Sequence, residues 1–414
     1  TSVMMFLYIF IFTTVRDTKD SLVVTNCGAE AIPFLKLYGV LPMATAFIMG
    51  YSKLSNVLSK ETLFYVTLVP FFIFYIAFAF LAYPARDMLH FPPPPGTMMH
   101  PAMALLRYWS FSAFFIASEL WASAGVPLLF WQCANDVTNL EQARRFYPLF
   151  AVIGNLAPIA SGKTMSAIVS RQATNDDDGF GMTLKYLALV KVSICGGIIC
   201  LYRLVNGMSS KGRALALTRS MKKGQKCQAK KKKPTFAESM VELSKSKELR
   251  AMATKVICYN ICIELTEVLW KGILRKKYTN KSDYMAYMAN FSQIVGITAF
   301  ILQIAASSII RNLGWMAAAL ITPLSMAALA IPFFLSVSLG EKYVPAATAL
   351  LIGTVQNVIS KATKYALFDP TKEMAYIPLG PEAKVKGKAA VDVLGARTGR
   401  SIGSASQQIM VIIA

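Results

Sequence analysis

The sequence predicts an all-α, polytopic membrane protein built as two six-helix bundles, and three observations carry that expectation. Hydrophobic residues make up 55% of the 414 positions and charged residues only 16%. Soluble chains carry about 25% charged residues, so this one has more apolar surface than one or two water-soluble cores can hide. Apolar runs of about 20 residues, enough helix to cross a hydrocarbon core near 30 Å, recur from one end of the chain to the other. The series is interrupted once, between the sixth and seventh runs, by a long basic segment. The 25 Phe and 5 Trp exclude a disordered chain, and collagen-like, coiled-coil and disulfide-scaffold compositions are absent.

The runs fall at residues 1–24, 33–50, 62–83, 106–133, 147–169, 184–205, 249–270, 284–310, 313–339 and 344–366. An eleventh opens near Ala389 and is still running at Ala414, so a fragment with about 11 of 12 helices is expected. The division reads as an N-terminal six-helix bundle over 1–205, a basic central loop over 206–248 and a C-terminal bundle over 249–414, truncated within helix 11. Two bundles joined by a basic loop is a layout of transporters whose halves are related by a pseudo-two-fold axis, with substrate between the halves at mid-depth. The central loop holds Lys230, Lys231, Lys232 and Lys233 and supplies the Lys and Arg excess on its side of the membrane. It is a solvated linker or a contact for anionic lipid. The formal charge of +21 does not imply nucleic acid here, because the basic run lacks interleaved aromatics.

Enzyme chemistry has little to work with. The two histidines, His90 and His100, lie in a Pro-rich loop, and the seven cysteines form no Cys-x-x-Cys pair. No metal site, no Ser-His-Asp triad and no cofactor are expected. A phosphate-cradling Gly-x-x-x-x-Gly-Lys-Ser/Thr loop is also missing, so a nucleotide would be carried rather than hydrolysed.

The informative residues are charges inside spans, each costing roughly 2.5 to 3.5 kcal/mol on insertion scales. Arg16, Asp17, Lys19 and Asp20 cluster near the end of the first span, as an interfacial i to i+3 network or as a functional group. Glu119 sits deep in the fourth span, either salt-bridged for structure or on a transport path. In the seventh, Glu264 and Glu267 fall three apart on one helix face, and Lys271 follows Glu267 by four, in the favourable order for a pair. Glu264 has no comparable local partner. It either pairs with a basic residue such as Lys255 or Lys271 or, crowded by Glu267, carries a proton. Near the chain end, Lys384, Lys386, Lys388, Asp392, Arg397 and Arg400 are spaced by Gly395, Gly399 and Gly403. These glycines expose backbone at a helix opening or allow close helix packing. Cations inside a bundle, balanced by carboxylates, suit an anionic substrate with several oxygens.

Longer motifs match a family. Arg16-Asp-Thr-Lys-Asp20, Gly28-Ala-Glu-Ala-Ile-Pro-Phe-Leu-Lys36, Ser118-Glu-Leu-Trp121, Phe130-Trp131, Ala134-Asn-Asp136, Arg145-Phe-Tyr-Pro-Leu-Phe150, Lys364-Tyr-Ala-Leu-Phe-Asp-Pro370, Lys372-Glu-Met-Ala-Tyr-Ile-Pro378 and Lys384-Val-Lys-Gly-Lys-Ala-Ala390 closely resemble the ATP/ADP translocases of plastids and obligate intracellular bacteria. The resemblance runs nearly end to end, and the prolines at 92–95 suggest an algal member. It implies twelve helices of major-facilitator type and exchange of ATP for ADP, with phosphate sometimes accompanying ADP. It further implies substrate-binding roles for Lys19, Glu119, Glu267 and Arg400, with Arg16, Glu264, Lys271 and Lys388 as a second tier. Two departures accompany it: Gly399-Arg-Ser-Ile402 stands where the family has Gly-Lys-Ser-Gly, and Glu264 stands where relatives usually have Asn. Arginine keeps the charge but turns a point into a fork.

The expected function is alternating-access exchange of ATP and ADP, without covalent chemistry, in a plastid envelope or a bacterial inner membrane. Proton-coupled one-way uptake is the alternative within transport. An anion channel or a lipid-binding scaffold would account for the spans and charges but not for the motifs.

Overall fold

A computed structural model describes residues 2–91, 100–137, 150, 152–172, 177–220, 246–340, 342–376, 391 and 395–413. The basic run Lys230–Lys233, the segment 384–390 with Lys388, Asp392 and the residues 145–149 of the Arg145 motif lie outside them. The long helices are α1 (Ser2–Cys27), α2 (Ala31–Val57), α3 (Lys60–Ala82), α4 (Trp109–Ala134), α5 (Ala157–Arg171), α6 (Asp177–Ser220) and α7 (Lys247–Lys277), followed by a 59-residue element, Lys281–Leu339. Gly314, at φ 84°, breaks that element into α8 (281–313) and α9 (315–339). Without a Cβ, glycine takes this left-handed conformation at no steric cost. α10 begins as Ala346–Thr363 and continues through a widened turn to Ala375, and α11 is Ala396–Ile413.

The eleven apolar runs thus correspond to eleven helices. α6 continues into the segment read as the central loop, through the strong helix formers of Arg213-Ala-Leu-Ala-Leu217. Among the described residues, α2, α3, α4, α6 and the α8–α9 element are long and apolar enough to cross a membrane on hydropathy alone. α1 and α7, which carry most of the intramembrane charges, do not pass that test.

π-Helical turns interrupt the helices at Leu35–Val40, Phe78–Ala82, Gly125–Phe130 and Lys364–Phe368. Pro42, Pro84 and Pro370 each follow such a turn by two residues, and Pro127 lies within one. A proline removes its own N–H and crowds the carbonyl four residues back, so a widened turn relieves both problems, and at Pro42, Pro127 and Pro370 the helix runs on, whereas before Pro84 it ends at Ala82. Helix hydroxyls are satisfied locally: Thr14, Thr18, Ser21 and Thr25 each donate to the carbonyl four residues earlier in α1.

The N-terminal half is held by an aromatic core in which Tyr8 of α1 stacks on Trp121 of α4 at 5.8 Å, with Phe71, Phe72, Phe78 and Phe114 around them. A second cluster crosses the boundary between halves, joining Val24, Leu35 and Phe115 to Trp270, Tyr284 and Phe291. α5 also packs along α8, and α11 lies against α7 and α2. The halves therefore share an apolar seam, and the charged site lies beside it.

Candidate functional site

The central loop joins α6 to α7, so the C-terminal ends of α1 and α7 and the starts of α2 and α8 all lie on the opposite side. Near that end the intramembrane charges form one chain of alternating sign. Lys19 Nζ lies 3.0 Å from Glu119 Oε1 and donates to Asp20 Oδ1 at 2.8 Å. Asp20 Oδ2 accepts from Lys271 Nζ at 2.8 Å. Lys271 also holds Glu267 at 2.8 Å, and Glu267 in turn meets Lys361 of α10 at 3.3 Å. The chain runs from α4 through α1 to α7 and α10, and so passes from one half to the other.

Burial makes these pairs consequential. Side-chain exposure is 6% for Lys19, 1% for Asp20 and 4% for Lys271, against 18% for Glu119 and 20% for Glu267. Breaking a buried pair costs about 3 to 5 kcal/mol because it leaves one charge uncompensated. Lys19 and Lys361 gain a further partner in an aromatic face: Lys19 lies 3.9 Å from the ring centroid of Phe115 and Lys361 5.2 Å from that of Phe291.

A second pair crosses the halves beside the first. Lys36, held in the π turn of α2, donates to both carboxylate oxygens of Glu264 on α7, at 2.8 and 2.6 Å. This corrects the expectation that Glu264 pairs with Lys255 or Lys271. Lys271 is taken by Asp20 and Glu267, while Lys255 lies over the ring of Phe368 at 4.5 Å. Lys36 thus supplies the basic partner that the sequence around Glu264 lacks.

Arg16 forms a third link. It donates to Asp17 Oδ1 at 3.0 Å and to Ser292 Oγ of α8 at 2.8 Å, and Ser292 donates to Asp17 Oδ2. Further along the same side, Arg275 Nη2 reaches the carbonyl of Thr25 at 3.4 Å, and Gln408 of α11 donates to the carbonyl of Pro33 at 3.1 Å. Toward the central-loop side the stretch Leu41–Val57 of α2 has no buried residue, while α5 and α8 keep the halves in contact, with Asn155 donating to Gln303 Oε1 at 3.4 Å. The ion-paired straps between the halves lie on the side away from the central loop.

Arg400, on the second turn of α11, lies within electrostatic range of Glu119. The glycines of its helix serve close packing. A Cβ at Gly399 would come within 2.7 Å of the Ile257 carbonyl, and one at Gly403 within 3.0 Å of Glu264 Cβ. Gln407 completes the joint by donating to the carbonyl of Glu264 at 2.7 Å. Of the two readings of the glycine spacing, the structure has the packing one.

Lys19, Glu119, Glu267 and Lys271, singled out from the sequence, thus come together. The structure adds Asp20 as their bridge, Lys36 as the partner of Glu264, and Lys361, whose signal was a lysine inside an apolar run. The assembly consists of four lysines and four carboxylates between two helical halves. Lysines in such a setting can exchange a carboxylate for phosphate oxygens, both being charge-assisted acceptors.

A family model described as TLC ATP/ADP transporter matches residues 1–414, the whole chain. The chain belongs to that family. Among its relatives, an ADP,ATP carrier protein 1 of Chlamydia muridarum is 40% identical over 99% of this chain and 81% of its own length. The chloroplastic ADP,ATP carrier protein 2 of Arabidopsis thaliana is 39% identical over 99% of this chain and 68% of its own. An ADP,ATP carrier protein 4 of Rickettsia conorii is 37% identical over the full chain and 84% of its own length. In fold, this family member is similar to an E. coli xylose transporter, with a TM-score of 0.58 at 12% identity over 99% of this chain and 89% of the other. A POT family transporter in complex with a thioalcohol-conjugated peptide gives 0.57 at 12% identity, covering 100% and 90%. The major-facilitator architecture expected from the sequence is the observed one, and the ATP/ADP transporter is an integral membrane protein of many spans.

Proposed function

We propose that this transporter exchanges ATP for ADP by alternating access, and that the polyphosphate binds among Lys19, Lys271 and Lys361, with Glu119 and Glu267 balancing these cations when the site is empty. Arg400 and Arg16 act at the edge of the same site. The observation that carries the reading is the alternating ion-pair chain from Glu119 to Lys361, which joins the halves at the place where an anionic substrate with several oxygens would have to be held. Nothing covalent happens to the nucleotide, so the protein is a carrier and not an enzyme. Phosphate accompanies ADP as a smaller ligand of the same lysines.

Residues 1–205 and 249–414 are the two moving units, and the basic segment 206–248 connects them and contacts anionic lipid. Relatives named chloroplastic favour a plastid envelope as the site of action, and those from Chlamydia and Rickettsia a bacterial membrane. The proton-coupled alternative is not favoured, since Glu264 is engaged by Lys36.

Counterflow tests the reading. Vesicles holding the purified protein and preloaded with ADP should take up labelled ATP faster than empty vesicles. Equal uptake would indicate a channel or uniporter, and no uptake a scaffold.

A further inference from the structure

Asp20 is placed differently from every other carboxylate of the site. It is 1% exposed, and each of its oxygens is committed to a different lysine, Oδ1 to Lys19 and Oδ2 to Lys271, both at 2.8 Å. Lys19 belongs to the same helix, whereas Lys271 belongs to the other half. Glu119 and Glu267 each sit at the outer side of one of these lysines and are more exposed. Asp20 therefore occupies the position between two cations that a bridging phosphate oxygen pair would take. Among the described residues it is also the carboxylate that ties the halves directly through Lys271.

We infer that Asp20 is an internal stand-in for the substrate's phosphates, and that its ion pair with Lys271 is the latch that forbids the empty transporter from reorienting. The inference rests on the exchange reading above and extends it. In the empty protein, Lys271 has Asp20 and Glu267, and Lys19 has Asp20 and Glu119, so both cations are satisfied with the side opposite the central loop closed. Pulling the halves apart would strand Asp20 from Lys271 inside the bundle, a costly separation of buried charges. A nucleotide polyphosphate arriving from the central-loop side offers both lysines new acceptors. Asp20 is then released from Lys271 and the halves can rock around the bound ligand. A ligand shifts such an equilibrium only through its differential interaction with the two states, and displacement of Asp20 supplies that difference. Exchange follows directly: the protein crosses with a polyphosphate bound and stays latched without one.

Neighbouring straps are of another kind. Arg275 to the Thr25 carbonyl and the Arg16–Asp17–Ser292 triangle hold the same side. Their partners include a backbone carbonyl or a serine hydroxyl, and Lys36–Glu264, although it also pairs charges across the halves, closes on a single lysine, so these straps add closure without presenting an anion between two lysines.

The experiment measures efflux of labelled ADP from proteoliposomes into nucleotide-free buffer and into buffer containing ATP, for wild type, Asp20→Asn and Lys271→Gln. Wild type should show fast efflux only with external ATP. Asp20→Asn cuts the latch without removing a phosphate-binding cation and should raise unstimulated efflux, and its ratio to stimulated efflux, by about tenfold; Lys271→Gln cuts it from the other side and should raise the unstimulated rate itself, whatever it does to stimulation. A merely structural defect lowers both rates and leaves the ratio unchanged. Asp20→Glu, which keeps the charge, should restore dependence on external nucleotide. An inserted Asp20→Asn protein with the wild-type ratio overturns the latch, and so does failure of both variants to insert, which would make Asp20 a folding residue. Absence of stimulation in the wild type would instead overturn the exchange reading itself.

Discussion

Lys36 of α2 holds Glu264 of α7 through both carboxylate oxygens, at 2.8 and 2.6 Å, across the boundary between the two halves. Neither residue has a chemical reason to be inside a bilayer alone, and together they form a neutral strap. Removing one partner should therefore hurt more than removing both. Lys36→Gln should slow exchange, leaving Glu264 uncompensated, and Lys36→Gln with Glu264→Asn should recover part of the loss. The coupling read from this double-mutant cycle should be about 1 to 3 kcal/mol in exchange rate or thermal stability. Additive effects would show that the pair is not coupled.

The same pair bears on pH. Lys36 occupies both carboxylate oxygens of Glu264, and ATP uptake between about pH 5.5 and 8 should give superimposable profiles for wild type and Glu264→Asn, the residue usual in relatives. A flatter profile in the Asn variant would restore proton coupling.

Cations and carboxylates should separate by ligand. Lys19→Gln and Lys361→Gln should each weaken ATP binding far more than adenosine binding, by about 1.5 to 3 kcal/mol for each charge-assisted bond lost. Equal losses for both ligands would make these lysines structural. Glu267→Gln should slow exchange more than Glu119→Gln, because Glu267 serves two lysines, Lys271 and Lys361, and Glu119 one. Initial rates of ADP-driven ATP uptake, normalised to inserted protein, decide the order.

How far this site was legible in the sequence depended on depth. Glu119, with a long uncharged stretch on either side, could only be intramembrane, and Glu267 with Lys271 announced a pair by helical spacing alone. Lys361 is hidden because the apolar run around it ends at Ala366, which puts it near an interface where lysines snorkel. In the structure the π turn Lys364–Phe368 carries α10 on to Ala375, so Lys361 lies well inside the helix. Lys36 was masked in the same way by its place near the start of α2. Asp20 stood in plain view, but its partner Lys271 is 251 residues away, and no local pattern encodes a contact of that range. The fold itself was easier, since bilayer thickness fixes span length whatever the tertiary contacts.

The last prediction concerns the late helix. Gly399 lets α11 approach α7 so closely that a methyl group there would lie 2.7 Å from the Ile257 carbonyl and 2.9 Å from Asn260 Cβ. Neither atom is the free end of a flexible side chain, so Gly399→Ala must push the helices apart. Overpacking of this kind costs about 1 to 3 kcal/mol. The shift would also move Arg400, next in sequence, and loosen the Gln407 bond to the Glu264 carbonyl. Gly399→Ala should therefore lower the melting temperature of the detergent-solubilised protein and reduce exchange together. Arg400→Lys keeps the backbone and restores the family's residue at this position. It should leave the melting temperature unchanged and retain exchange. If Gly399→Ala melts like wild type, the close approach of α11 to α7 is wrong. If Arg400→Lys abolishes transport in a protein of normal stability, the guanidinium fork itself is what the nucleotide requires there.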